Sequence, residues 1–107
     1  MKILVSKRAN NDFQRILDYL EYKWGSASVE KFKILTDDFL DILESFPEIG
    51  SMEFPEKNIL GFQLTPQTRV FYIIKKTHIL ILAFFDVRQN PKRKNFSLRS
   101  SKIHHRA

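Results

Sequence analysis

Cysteine is missing altogether from this 107-residue chain, which excludes a disulfide framework and any thiolate-held metal. Glycine and proline are sparse, three and four residues, so no stretch reads as a flexible linker and the chain is expected to be a single domain with one core. Long apolar runs are also lacking near the start. In MKILVSKRANNDF only Ile3, Leu4 and Val5 run together before charge returns, too little for a signal-peptide core or a membrane span. The expected location is the cytoplasm, with no membrane partner. Acidic residues vanish towards the other end: residues 88–107 hold 7 Lys/Arg and no Asp or Glu, a net of +7, whereas residues 1–87 hold 11 Lys/Arg and 12 Asp/Glu, a net of −1. The excess of +6 therefore sits in the last twenty residues, where it suits phosphate or an acidic protein surface, or forms a solvated tail.

What the chain has in quantity is phenylalanine, ten residues, and the core should be rich in rings. KILV at 2–5 reads as a strand, and Ser6 after it is a helix-capping residue type. From Lys7, the apolar positions Phe13, Ile16, Leu17, Leu20 and Trp24 recur every three or four residues, which places them on one helical face, and Gly25 ends the helix. Ser26 or Ser28 can cap a second helix with the stripe Phe32, Leu35, Phe39, Ile42, Leu43 and Phe46, closed by Pro47. The short link predicts an antiparallel helical hairpin. PEIGSMEFPEK, 47–57, is rich in turn residues and reads as a loop. Strands follow at 58–64, 68–74 and 79–85, separated by hairpin-sized TPQT and KKTH. The order strand, helix, helix, three-stranded antiparallel meander defines an α+β domain with one sheet. Those strands are apolar on both faces, Phe71 and Ile73 on one and Val70, Tyr72 and Ile74 on the other. Two helices cover one face, so the other is expected to be closed by the curl of the sheet, the tail or a partner chain.

Counting back from the KKTH turn sets Arg69 beside Phe84, with Arg88 about 13 Å further along at the usual strand rise. Both arginines are thus expected at one end of the meander, beside TPQT, before Pro91 turns Lys92, Arg93 and Lys94 away. Guanidinium groups make fixed two-point contacts with phosphate or carboxylate and cannot act as ordinary bases at neutral pH. These five residues are the candidate surface for a target or nucleic acid. An ion pair of Arg69 with Asp86 is the bland alternative. Other chemistry is thin. His78 falls in a turn, and His104 and His105 are adjacent and lack companions at metal-ligand spacing, so no metal and no cofactor is expected. Asp37, Asp38 and Asp41 fall on the wet side of the second helix. Ser97, Ser100 and Ser101 have no nearby base to activate them.

Three segments together, SKRANNDFQRILDYLEYKWG, FKILTDDFLDILESFPEIG and LTPQTRVFYIIKKTHILILAFFDVRQNPKR, resemble the RelE/ParE superfamily of toxins from bacterial type II toxin-antitoxin modules, in particular its ParE-like branch. The resemblance covers almost the whole chain through Arg93 and divides it into a toxin domain at 1–94 and a basic tail at 95–107. It implies a growth-inhibiting toxin neutralised by a cognate antitoxin, which agrees with a second apolar sheet face in need of cover, and the face of Val70, Tyr72 and Ile74 is where the antitoxin is expected to bind. ParE-like members are known for inhibiting DNA gyrase, and RelE-like members for cutting mRNA on the ribosome, a role in which Arg69 and Arg88 would be catalytic. RelE-like nucleases generally carry lysines on the second strand of the family pattern and often a tyrosine after the last arginine. Here that strand reads ILGFQLT and no tyrosine follows Tyr72. The expected activity is non-enzymatic gyrase inhibition, with ribosome-dependent mRNA cleavage as runner-up and a basic nucleic-acid-binding module as the third reading.

Overall fold

A computed structural model describes residues 1–89 of the chain. Strand β1 (Lys2–Val5) leads into helix α1 (Lys7–Trp24) and helix α2 (Ser26–Ser45), followed by β2 (Ser51–Phe54), β3 (Ile59–Gln63), β4 (Thr68–Ile74) and β5 (His78–Asp86). The sheet has five strands in the order β1-β5-β4-β3-β2. β3, β4 and β5 form the expected antiparallel meander, while β1 runs parallel to β5 at one edge. The segment 47–57, expected to be a loop, supplies the other edge as β2, bracketed by two single helical turns that each begin at a proline. No helix among the described residues is long and apolar enough to cross a membrane.

The helix ends follow their residues. Ser6 Oγ accepts the Ala9 N–H and caps α1. Gly25, at φ 96°, both ends α1 and precedes α2, a left-handed conformation that costs a residue without a Cβ little. Neither Ser26 nor Ser28 caps α2, because the helix already begins at Ser26 with Gly25 in the cap position. The helices lie on one face of the sheet, where Leu60, Val70, Tyr72, Ile79, Ile81 and Phe84 meet Ile16, Leu20, Phe32, Phe39 and Leu43. Rings add to that layer, with Phe39 and Phe62 stacked at 4.5 Å and Phe13 within 5.4 Å of Phe84. Each such residue, once fully buried, contributes about 1.5–3 kcal/mol of transfer free energy. The core side of α2 is centred on Phe32, Thr36, Phe39 and Leu43, so Leu35 and Ile42 stand on its shoulder and are exposed, as are Phe46 and Trp24 at helix ends. A second apolar cluster, Ile59, Phe71, Leu80, Leu82 and Ala83, occupies the other face.

Register in the β4–β5 hairpin does not run evenly. Ile74 pairs with Ile79 and Tyr72 with Ile81, but Phe71 pairs with Ala83, leaving Leu82 as an extra residue in β5. Leu82 and Ala83 consequently belong to the same apolar cluster, and beyond them the alternation is inverted. Arg69 therefore faces Phe85, not Phe84. A β-bulge leaves backbone groups without ladder partners, and the start of the chain provides them. Ser6 Oγ donates to the Leu82 carbonyl at 3.0 Å and Ser6 N–H to the Ile81 carbonyl at 3.0 Å. The buried Asp12 carboxylate of α1 accepts the Phe84 N–H at 3.1 Å and is paired with Arg8 and Arg15.

If Ser6 and Asp12 together stabilise that bulge, then Ser6→Ala and Asp12→Ala should each lower the urea-unfolding free energy by about 1–3 kcal/mol, the usual cost of an unpaired buried polar group. The double variant should lose less than the sum of the two. Strictly additive losses would mean that the two side chains act separately.

Candidate functional site

The inverted register decides where the predicted site residues fall. Thr68 pairs with Asp86 across the hairpin, and both are buried. The Asp86 carboxylate accepts the Thr68 hydroxyl at 2.8 Å, the Arg88 backbone N–H at 2.9 Å, and the guanidinium of Arg88 through Nε at 3.0 Å and Nη2 at 2.7 Å. Arg88 also lies over the Tyr19 ring, 5.3 Å from its centre, a placement that an aromatic face stabilises. Burial alone would push the Asp86 carboxyl up, but hydrogen bonds from the Arg88 side chain, the Thr68 hydroxyl and the Arg88 N–H outweigh it and hold it below its ordinary range. The Asp86 hydrogen bond raises the Arg88 guanidinium in return.

Arg69 takes the other face. It shares that side of β4 with Phe71 and Ile73, which belong to the second cluster, and its guanidinium lies across Gly61 of β3, where an added Cβ would stand 2.8 Å from Nε. Beyond Gly61 it meets Glu53 of β2, with Nε and Nη2 both donating to Oε1 at 3.0 and 2.6 Å, while Nη1 donates to Gln63 Oε1 at 3.0 Å. Glu53 owes its position to a second irregularity. Met52 pairs with Leu60 and Phe54 with Ile59, so Glu53 is the extra residue in β2. Bulges commonly re-aim a side chain in this way.

The two arginines thus share one end of the meander but point to opposite faces, each already engaged by a carboxylate, and the expectation of a common rim is corrected on both counts. The cause is the extra residue in β5, which an even count from the turn cannot contain. The pairing of Arg69 with Asp86 is replaced by Glu53 for the same reason. Val70 and Tyr72, expected to bind an antitoxin, have no exposed surface. They lie beneath the helices, and Tyr72 spends its hydroxyl on donating to the Pro47 carbonyl at 2.7 Å and accepting the Gly50 N–H at 2.9 Å. Desolvation, with the Glu48 charge, raises the Tyr72 phenol despite that N–H. Ile74, at the end of β4, is half-buried. Lys92, Arg93, Lys94 and the boundary at 94–95 lie outside the described residues. Among those described, no group of His, Asp or Glu is disposed to hold a metal ion. Glu53 carried one sequence signal that the turn residues around it masked: the alternation of Met52 and Phe54 about it. Asp12 carried none, since its role depends on a bulge more than seventy residues away, the sequence separation of its bond to Phe84 being 72.

The mixed five-stranded sheet with a helical hairpin on one face is an architecture shared with known proteins. The chain belongs to a family of toxins, described as the ParE toxin of type II toxin-antitoxin system, parDE, whose model matches residues 3–91. Among solved structures it is similar to a chain of the chromosomal ParDE toxin-antitoxin system from P. aeruginosa, with a TM-score of 0.68 over 80% of this chain and 95% of that one, at 18% identity. That likeness is one of fold. A search of curated protein sequences returns no match.

Because the folded protein keeps Asp86 ionised to lower pH than the unfolded chain does, its stabilisation is complete above the ordinary carboxylate range, about 3.9, and fades as pH falls through the lower folded value. Asp86→Asn should therefore destabilise strongly at pH 7, with the gap from wild type narrowing in acid, as urea titrations at several pH values would measure. Glu53→Gln acts on a pair whose side chains are 24% and 32% exposed, and it should change stability by no more than about 1 kcal/mol.

Proposed function

We propose that this protein is the toxin of a type II pair, held inactive by a cognate antitoxin and arresting growth through protein contact with DNA gyrase. Membership of the ParE family supports the toxin and its antitoxin, and the observation that carries the mode of action is the divergence of the two arginines. Transesterification of RNA requires groups that move protons and stabilise charge around one phosphate. Arg69 and Arg88 lie on opposite faces, and Arg88 is tied to a buried aspartate. Strand β3, ILGFQ, adds no lysine beside either. Inhibition by contact needs no such convergence.

The family's antitoxin cannot meet Val70 and Tyr72 unless the helices leave them, so the reading places its contacts on outward-facing residues. The cationic run at 92–94 remains part of the proposed target surface by its charge, which suits phosphate or an acidic protein.

Purified toxin should block supercoiling by gyrase in a plasmid assay and leave mRNA intact in a cell-free translation reaction. Normal supercoiling at saturating toxin would remove the gyrase reading, and codon-positioned mRNA cuts would replace it with the nuclease.

A further inference from the structure

Ten large apolar side chains stand exposed among the described residues, and five of them, Met1, Ile42, Phe46, Ile49 and Met52, gather where α2 ends beside the start of β1. Two adjoining hollows, of about 650 and 420 Å³, join them into one tract. Met1, Phe46 and Ile49 border the first, Met52 and Leu60 border the second, and Glu48 and Ile74 belong to both. Ile42 lies one helical turn before Phe46, whose N–H donates to the Ile42 carbonyl at 2.8 Å. Phe46 is 65% and Met52 52% exposed, and a contiguous apolar surface of this kind marks an interaction site.

The tract is fixed from beneath. The buried Tyr72 hydroxyl ties Pro47 to Gly50, the Met1 ammonium donates to the Glu44 carbonyl at 3.1 Å, and Gly50 packs so closely on β3 that an added Cβ would stand 2.6 Å from the Gly61 carbonyl oxygen. Little ordering entropy is left to lose when a partner docks. Charge on the two flanks is segregated by sign. On the side of α2 and the turn after it stand Asp41, Glu44 and Glu48, and on the side of β1 and the β4–β5 turn stand Lys2, Lys75 and Lys76, all exposed and none in an ion pair within the described residues.

We infer that this face docks a second copy of the chain about a twofold axis. Phe46 and Ile49 of one protomer pack on the same residues of the other, and the acidic flank of each meets the lysine flank of its partner. A twofold contact requires such self-complementarity, because the same patch serves both sides. An acidic protein, a nucleic acid or an anionic membrane would set like charge against Asp41, Glu44 and Glu48, and a basic partner would do so against Lys2, Lys75 and Lys76. Only a surface carrying both signs in the reverse order suits both flanks. The inference concerns the free chain and stands whatever the toxin's target.

Sedimentation of the full chain at increasing concentration should show monomer passing to dimer by mass action. Phe46→Asp should raise the dimer dissociation constant at least about tenfold, while Tyr22→Asp, which alters an exposed aromatic residue of α1 outside both hollows, should associate as wild type does. Two charge-reversed chains make the decisive test, one with Glu44→Lys and Glu48→Lys, the other with Lys75→Glu and Lys76→Glu. Each alone sets like charges face to face and should associate at least about tenfold more weakly than wild type. Mixed in equal amounts, they restore both flank contacts and should form a heterodimer. Circular dichroism and unfolding midpoints near those of wild type check that every variant is folded. The inference is overturned if the wild-type chain stays monomeric at the highest concentration reached, if Phe46→Asp associates unchanged, if the mixture associates no better than its components, or if a monomeric chain instead sediments with anionic lipid vesicles through this face.

Discussion

A single extra residue in β5 governs the arrangement of this molecule. An even hairpin would set Phe85 opposite Thr68 and keep Asp86 off the helix side. With Leu82 inserted, Phe84 and Asp86 turn towards the helices. The inserted residue disrupts the local ladder, and the molecule meets that cost from the first twelve residues. Ser6 caps α1 and also donates to the bulge, and Asp12, one and a half turns later, accepts from it. The start of α1 and the middle of β5 are therefore one polar unit inside an apolar layer, and such a unit is stabilising only when every member is satisfied.

The same device recurs at the edge of the sheet. The bulge in β2 aims Glu53 over Gly61 at Arg69, as the bulge in β5 delivers Asp86 to Arg88. The two pairs differ in physical character. The Asp86 carboxylate is buried and accepts four hydrogen bonds, and breaking such a pair leaves a desolvated charge. The pair of Arg69 and Glu53 is partly exposed, where solvent competes for both ions and the net attraction is small. Arg88 thus acts first as a structural clamp closing β5 against Thr68 and Tyr19, with one edge left over. Arg69 is the guanidinium that an incoming anion could claim from its present partner at little cost.

Much of the fold was legible in the chain because periodicity reports burial. The stripe of Phe13, Ile16, Leu17 and Leu20, the capping serine at 6, the stop at Gly25 and the two hairpin-sized separators each carry a local signal, and each produced the element it implied. The site was less legible for a consistent reason. An even strand count from KKTH sets Arg69 beside Phe84, and nothing local in ILILAFF marks Leu82 as the inserted residue. Prolines around SMEF outweighed its alternation and hid the edge strand that holds Glu53. Trp24 and Leu35 matched the helical stripe by spacing, but the stripe is wider than the sheet beneath it, and spacing cannot say where the cover ends. Val70 and Tyr72 are fully buried, which their apolar character alone does not reveal, because core and interface share it.

The two borders of the sheet are both short. β1 and β2 are each four residues long, β2 is kinked by its own irregularity and is followed at once by Pro55, and brief or distorted margins of this kind resist indiscriminate strand pairing between molecules. A protein that docked by extending the sheet would find roughly 13 Å of even backbone along β1 and less along β2, which its bulge interrupts. Main-chain bonding over so short a span offers little discrimination, so recognition of this molecule must be written mainly in side chains.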